Sequence, residues 1–206
     1  LAARPKTLTG AAVPVMIGIA CAVALHGAEV RWVPAVLCML FALIMQIDAN
    51  FVNDYFDFMK GTDDEQRLGP KRACSQGWIT APAMRSALLL TTAVACVVGL
   101  PLILYGGWEM ILVGLACVVF CFLYTISLSY MGLGDVLVLV FFGLVPVSMT
   151  YWLVAPASPL LSIPLTVIGL SLACGLVIDT LLVVNNYRDI DNDRRTGKRT
   201  LIVQIG

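Results

Sequence analysis

The chain has few charged residues and a single histidine, and both shortages exclude classes of protein. Only 13% of its 206 residues are charged, whereas soluble domains usually carry about 25%. With only His26 and no paired Cys/His spacing, a zinc site is not expected. Basic and acidic residues are equal in number, 13 each, so the formal net charge is zero and by itself says nothing about partners. We expect no nucleic-acid partner.

Apolar residues fill most of the chain: 60% are hydrophobic, and the mean hydropathy is +0.92. Six stretches approach or exceed the about 20 residues that a helix needs to cross the hydrocarbon core. We place them near residues 8–25, 32–52, 85–105, 108–128, 135–154 and 160–184. The connections are short except for a polar loop at 53–84. The sequence therefore predicts an all-α, polytopic transmembrane helix bundle with six spans in a lipid bilayer.

The basic residues lie on one side of these predicted spans. Of the 13 lysines and arginines, all but Arg31 flank span ends that face the same side. Basic residues near the ends of spans are enriched on the cytoplasmic side of a membrane. The distribution therefore predicts an integral membrane protein whose N-terminus is cytoplasmic.

Two polar clusters follow the second and sixth spans, on that same side. The first cluster is Asn50-x-x-Asn53-Asp54-Tyr55-x-Asp57, and the second is Asn185-Asn186-Tyr187-Arg188-Asp189-x-Asp191-x-Asp193. If both helices continue through the clusters, each presents a column of Asn and Asp side chains on one face. The columns are Asn50, Asn53, Asp54 and Asp57, and Asn186, Asp189 and Asp193. Carboxylates are costly beside lipid, so these columns point to a functional site.

Oxygen donors in these columns suit Mg²⁺, which typically takes one or two carboxylates together with water and substrate phosphates. Bound cations would relieve the repulsion between neighbouring carboxylates and would attract a polyphosphate. Basic side chains near the clusters can contact the remaining phosphate oxygens. They include Lys60, Lys71, Arg72, Lys198 and Arg199. With apolar spans to receive a hydrocarbon tail, the pattern indicates a site for an isoprenyl diphosphate.

These motifs also resemble a known family. The run Asn53-Asp54-Tyr55-Phe56-Asp57 with Asp63 resembles the first aspartate-rich motif of the UbiA superfamily of intramembrane aromatic prenyltransferases, and Asp189-x-x-x-Asp193 resembles the second. Other segments are similar to the branch of that superfamily that acts on 1,4-dihydroxy-2-naphthoate. They are Arg4-Pro5-Lys6-Thr7-Leu8, Gln46-x-x-x-Asn50, Gly69-Pro70-x-Arg72, Gly132-Leu133-Gly134-Asp135 and Gly197-Lys198-Arg199-Thr200-Leu201.

The resemblance implies a reaction. A polyprenyl group would pass from polyprenyl diphosphate to 1,4-dihydroxy-2-naphthoate, with loss of CO₂ and diphosphate, giving demethylmenaquinone for menaquinone biosynthesis. It also implies a bacterial plasma (inner) membrane with the active site on the cytoplasmic side. The family usually has nine transmembrane helices. We therefore expect residues 1–206 to form a single transmembrane prenyltransferase domain without its last three helices.

The resemblance also implies a set of site residues. Mg²⁺ would be held by the catalytic candidates Asp54, Asp57, Asp189 and Asp193. The candidates for binding substrate are Lys6, Asn50, Asn53, Arg72, Tyr124, Asn186 and Lys198. Two further acids, Asp48 and Asp179, lie inside predicted spans. A carboxylate at mid-depth costs about 2.5–3.5 kcal/mol on insertion scales, so we expect Asp179 to face the cavity or to stay protonated.

Three alternative functions stay open on the sequence. The first is a related enzyme with another acceptor, such as 4-hydroxybenzoate, homogentisate or a glycerol phosphate. The second is a transporter of cations or phosphate, although transporters often bind their ions near the midplane and these clusters lie at one membrane face. The third is a Mg²⁺-dependent phosphatidyltransferase, whose usual Gly and Ala-Arg between the first aspartates are absent here.

Overall fold

The computed structural model describes residues 2–62, 69–156 and 162–206, and every regular element within these ranges is helical. Six helices are long and apolar enough to cross a membrane. They are α1 (Leu8–His26), α2 (Trp32–Lys60), α3 (Ala81–Gly106), α4 (Glu109–Ile126), α5 (Gly134–Val154) and α6 (Leu165–Arg188). Two short helices follow, α7 (Ile190–Arg195) and α8 (Leu201–Ile205). The prediction of an all-α bundle with six spans is confirmed.

The helix α2 continues well past its apolar run. It passes through the first polar cluster to Lys60 and ends where Gly61 adopts a left-handed conformation, with φ 68°. The predicted polar loop at 53–84 was therefore wrong at both ends, since α3 already begins at Ala81. Loss of hydropathy marks the edge of the bilayer, whereas the helix ends only at its cap. Residues 63–68, which include Asp63, lie outside the described residues.

The helix α6 ends inside the second cluster. Asp189 has φ −96° and ψ 11°, which interrupts the helix before α7 begins at Ile190. The prediction of one continuous helical face through Asp193 was therefore wrong, although Asn186 and Asp193 are both buried. At its other end α6 begins after Pro164, and the start predicted at 160 falls in residues 157–161, which lie outside the described residues.

Close glycine contacts hold α1, α5 and α6 together. A Cβ atom added to Gly18 of α1 would lie 2.6 Å from the carbonyl oxygen of Val147 in α5. One added to Gly143 of α5 would lie 2.6 Å from the carbonyl oxygen of Ser171 in α6. Small residues allow such close approach of helices in lipid. The helix α5 reaches these contacts through a π-helical segment at Leu139–Leu144.

Contacts between connecting segments place both polar clusters at one end of the bundle. The Lys60 ammonium donates a hydrogen bond to the carbonyl oxygen of Thr125, at the end of α4, over 3.1 Å. The Asn192 side-chain amide, in α7, donates to the carbonyl oxygen of Thr62, just after α2, over 3.4 Å. The ends of α2, α4 and α6 therefore meet, and residues far apart in sequence share one polar end.

Candidate active site

In the first cluster, Asp54 is fully buried and anchors the loop that precedes α3. Its two carboxylate oxygens accept hydrogen bonds from the backbone N–H groups of Ala73 and Cys74, each at 2.9 Å. The loop residues Ala73 and Cys74 are themselves buried and pack against Met84 of α3. Asp54, predicted as a metal ligand, therefore has both oxygens engaged by the protein backbone.

Asp57 lies one turn further along α2 and forms an ion pair with the same loop. The Arg72 Nη2 atom lies 2.8 Å from Asp57 Oδ2, and the two side chains are only 7% and 13% exposed. Because Asp54 holds the residues directly after Arg72, the backbone of the loop sets the position of the guanidinium. The structure thus brings together Asp54, Asp57 and Arg72, all of which the sequence selected.

The two asparagines of the first cluster connect α2 to other elements. The Asn50 side-chain amide donates hydrogen bonds to the carbonyl oxygen of Ala3 and to the Thr7 hydroxyl, both at 2.9 Å. The Asn53 side-chain oxygen Oδ1 accepts a hydrogen bond from the Thr125 hydroxyl of α4. Asn50 therefore holds the segment before α1, and Asn53 holds the end of α4 beside the first cluster.

In the second cluster, Asp189 is paired with its neighbour. Arg188 donates from Nε to Asp189 Oδ1 and from Nη2 to Oδ2, each at 2.8 Å, which is a bidentate pair. Asp193 is buried, and its carbonyl oxygen accepts a hydrogen bond from the Lys198 N–H at 2.8 Å. This bond turns the chain after α7 back toward the bundle. Asp191, by contrast, has a side chain that is 96% exposed.

The residue Tyr124 lies between a narrow polar cleft and a large apolar cavity. The cleft is lined by Tyr124, Ser129, Gly134, Asp135, Asn186, Lys198 and Thr200. The cavity has a volume of about 640 Å³ and is bounded by all six long helices. Arg4, Gln46, Asn50, Asn53 and Asn185 form its polar rim, and apolar side chains such as Leu102, Met110 and Leu153 line the rest. This is the form of a site that takes a hydrocarbon chain with a polar head.

Arg4, a basic residue at the rim, was not among the candidates for binding substrate that the sequence predicted. Lys6 is exposed and is not among the residues that line the cavity, whereas Arg4 is partly buried and lines it. Arg4 has φ 45°, the only positive φ of a non-glycine residue in the described ranges. The Thr7 N–H and hydroxyl both donate to the Arg4 carbonyl oxygen at 2.9 Å. With this local turn, the Arg4 side chain lines the cavity and the Lys6 side chain is exposed.

The donors of the two clusters suit Mg²⁺ only when a substrate completes the coordination. Among the described residues, no three His, Cys, Asp or Glu side chains come close enough to enclose an ion. The available groups are carboxylate and amide oxygens, and Asp57 and Asp189 each have an arginine guanidinium 2.8 Å from Oδ2. Mg²⁺ commonly binds one or two carboxylates and takes its other ligands from phosphates and water. The donor set fits that arrangement.

The two acids inside the spans have different surroundings. Asp48 is fully buried in α2, and its carboxylate accepts hydrogen bonds from the hydroxyls of Thr91 and Thr92 in α3, the latter at 2.9 Å. Asp179 of α6 is partly buried, and its Oδ1 atom has no hydrogen-bond partner among the described residues. It interacts electrostatically with Asp135 at the polar cleft. Asp48 therefore joins two helices, whereas Asp179 lies near the candidate site.

Comparison with known proteins assigns the chain to one family. Residues 11–206 match the UbiA prenyltransferase family. A 1,4-dihydroxy-2-naphthoate octaprenyltransferase of Escherichia coli (strain K12) is 36% identical over 98% of this chain and 67% of its own length. The enzyme of that name from Mycobacterium leprae (strain TN) is 37% identical over 99% of this chain and 68% of its own length. A UbiA prenyltransferase domain-containing protein 1 homolog of Drosophila melanogaster is 31% identical over the whole chain and 57% of its own length.

Proposed function

Because the chain belongs to the UbiA prenyltransferase family, we propose that it transfers a polyprenyl group from polyprenyl diphosphate to 1,4-dihydroxy-2-naphthoate. Diphosphate and CO₂ leave, and the product is demethylmenaquinol, the reduced form of demethylmenaquinone, in menaquinone biosynthesis. The observation that carries this proposal is the continuity of the two polar clusters with an apolar cavity of about 640 Å³. The names of the bacterial relatives support the choice of acceptor.

The polar clusters bind the diphosphate in this proposal. Asp57 of the first cluster, and Asp189 and Asp193 of the second, would hold Mg²⁺, which when bound neutralises the charge that develops on the leaving diphosphate. Asp54 keeps the loop that carries Arg72 against α2, through its two backbone hydrogen bonds. Asn53 keeps the end of α4 beside Asp57, through its bond with Thr125. The chain's own residues thus position the donors before the substrate arrives.

The cavity determines where the carbon–carbon bond forms. Breaking the allylic carbon–oxygen bond leaves a carbocation at the polar rim, and the apolar wall excludes the water that would otherwise trap it. A ring carbon of the naphthoate attacks this cation, and loss of its carboxylate as CO₂ returns the electron pair to the ring. Tyr124 borders both the cavity and the cleft, so the acceptor ring is placed beside Tyr124. Lys198 and Asn186, which line the same cleft, then contact the acceptor's carboxylate.

The protein acts as an integral membrane protein in this proposal, since its six spans surround the cavity. We assign it to a bacterial inner membrane, with residues 1–206 as one transmembrane domain and the polar end on the cytoplasmic side. The concentration of lysine and arginine at that end supports this orientation.

A product assay tests the proposal. Membranes that contain the protein are supplied with Mg²⁺, polyprenyl diphosphate and either 1,4-dihydroxy-2-naphthoate or 4-hydroxybenzoate. We expect a prenylated product from the naphthoate alone, lost on chelation of Mg²⁺ and in Asp57→Asn and Asp189→Asn. The matched control is Asp191→Asn, whose side chain is exposed. A product from 4-hydroxybenzoate alone would refute the acceptor, and full activity in both site variants would refute the assignment of the site.

A further inference from the structure

The two clusters end in the same local arrangement. Both contain the pattern Asn-x-Tyr-x-Asp, which ends at Asp57 in the first cluster and at Asp189 in the second. Each of these aspartates has one arginine guanidinium against it, with an Nη2–Oδ2 distance of 2.8 Å in both cases. The arginines come from different places, Arg72 from the loop before α3 and Arg188 from the residue next to Asp189. Different chain segments therefore supply the same ion pair at equivalent positions.

These ion pairs occupy Oδ2 of Asp57 and both carboxylate oxygens of Asp189, which are atoms that a divalent cation would bind. A carboxylate cannot give the same oxygen lone pairs to a guanidinium and to Mg²⁺ without weakening one of the interactions. The first pair is also largely withdrawn from water, with exposures of 7% and 13%, whereas in the second pair Asp189 is 11% exposed and Arg188 34%. Displacing an arginine from such a place without a new partner would leave a charge unpaired, which is strongly unfavourable.

We propose that Arg72 and Arg188 pair with Asp57 and Asp189 until substrate binds, and then transfer to the diphosphate oxygens as Mg²⁺ takes their place on the carboxylates. This exchange rests on the proposed function in one respect, that the ligand is a diphosphate. Every charge has a partner before and after the exchange. Arginine binds the oxygens of a phosphate in the same bidentate manner as those of a carboxylate, so the guanidinium gains an equivalent partner.

The surroundings of the two arginines allow the exchange at both clusters. Arg188 lies at the end of α6, directly before the interruption at Asp189, and its side chain is 34% exposed. Arg72 lies in the loop, while the neighbouring Ala73 and Cys74 stay bound to Asp54. A rotation of the Arg72 side chain can therefore occur while its backbone is held. The diphosphate is negatively charged and therefore attracts each guanidinium away from its carboxylate.

The exchange predicts opposite effects of one substitution on two ligands. In Arg188→Gln, a competing cation is removed from Asp189, so Mn²⁺ alone should bind about five- to tenfold more tightly. In the same variant, inorganic diphosphate in the presence of saturating Mn²⁺ should bind about tenfold more weakly, because a bidentate contact is lost. Arg72→Gln should behave in the same way at the first cluster. General damage to the site would weaken both ligands and would not produce opposite signs.

The test uses the purified protein in lipid nanodiscs. Free Mn²⁺ is measured by electron paramagnetic resonance, first without and then with inorganic diphosphate. Arg194→Gln is the matched control, since it removes the same charge from the same end of the bundle. Its guanidinium lies 4.0 Å from the Asp191 carboxylate, and both side chains are exposed. We expect no change in either affinity for this control.

The outcomes separate this inference from the proposed function. Tighter Mn²⁺ binding with weaker diphosphate binding, in both arginine variants, supports the exchange. Unchanged or weaker Mn²⁺ binding in Arg188→Gln and Arg72→Gln overturns it, as does unchanged diphosphate binding. If these affinities change as expected while another aromatic acid proves to be the acceptor, the exchange stands and the proposed substrate falls. If the naphthoate product forms but the affinities do not change, only the exchange falls.

Discussion

The two polar clusters show that similar sequence patterns can be held in place in different ways. The first cluster is built into the fold, because Asp54 binds the backbone of a loop about 20 residues further along the chain and Arg72 reaches Asp57 from that loop. In the second cluster the ion pair is local, because Arg188 and Asp189 are neighbours at a break between α6 and α7. The ion pair of one half of the candidate site is therefore set by tertiary contacts, and that of the other half forms between adjacent residues.

This difference separates the stability of the site from its chemistry. A change at Asp54 acts first on the fold, since it releases a loop. A change at Asp57 or Asp189 acts first on the ligand, since each carboxylate lies against an arginine guanidinium. The following predictions test that separation.

The largest effect is expected from Asp57→Asn and Asp189→Asn, which should lower kcat/KM for prenyl transfer equally, each by about a hundredfold to a thousandfold. A metal supplies several kcal/mol of charge stabilisation in the transition state, and about 1.36 kcal/mol corresponds to a tenfold change in rate. Initial rates of product formation give the two losses. A tenfold difference between the variants would contradict the equivalence of the clusters, and Asp191→Asn serves as the control.

A smaller effect, on folding, is expected from Asp54→Asn. An amide nitrogen would replace one of the two oxygens that accept hydrogen bonds from Ala73 and Cys74. A buried donor left without a partner costs about 1–3 kcal/mol, so we expect a lower melting temperature and faster trypsin cleavage after Lys71. Asp189→Asn should leave that cleavage rate unchanged. Equal cleavage of wild type and Asp54→Asn would show that Asp54 does not hold the loop.

The contacts of the two acids inside the spans should differ in their contribution to the free energy of unfolding, by about 1 kcal/mol. Replacing Thr91 and Thr92 with valine removes both hydroxyl donors from the buried Asp48 carboxylate. Polar contacts between transmembrane helices contribute on average about 0.6 kcal/mol each, so the two together contribute about 1 kcal/mol. The double variant should therefore unfold at a lower denaturant concentration. Asp179→Asn should not, because the Asp179 Oδ1 atom has no hydrogen-bond partner in the described ranges. The opposite ranking would contradict the assigned roles.

The smallest effect is expected from Arg194→Gln. Arg194 and Asp191 are separated by 4.0 Å, and both are exposed to solvent. Exposed ion pairs contribute little to stability. We expect the melting temperature and the rate of product formation to remain those of the wild type. A clear loss of activity would show that the site extends beyond Arg188, Asp189 and Asp193 onto the outer face of α7.

The sequence was sufficient for the parts of the site that repeat along one helix. The spacing of Asn50, Asn53, Asp54 and Asp57 placed them on one face of α2, and the structure shows α2 continuing through all four. Hydropathy could not show where α2 ends, since its last turns are polar. Nor could spacing show that Ala73 and Cys74 bind Asp54, because that contact depends on how the loop packs.

The sequence could not show which of Arg4 and Lys6 lines the cavity, for a similar physical reason. The sequence marks two basic residues in the same short segment, and nothing in their spacing says which faces inward. The left-handed backbone of Arg4 decides this, together with the hydrogen bonds from Thr7. Non-glycine residues rarely adopt that conformation. Local rules of sequence therefore predict a regular helical site well, and predict poorly the turns that complete it.

The π-helical segment at Leu139–Leu144 has a consequence for how this protein tolerates insertions and deletions. A π-helical turn accommodates one more residue than an α-helical turn. Deleting a single residue there would let α5 become a regular helix, with the residues on both sides near their present orientation. A deletion in the regular turn before this segment has no such slack and would turn every preceding residue by about 100° around the helix axis. Gly134 and Asp135 would then leave the cleft that they share with Tyr124 and Lys198. The position of a deletion relative to the π-helical segment therefore decides whether the polar end of α5 keeps its alignment with the membrane-embedded end.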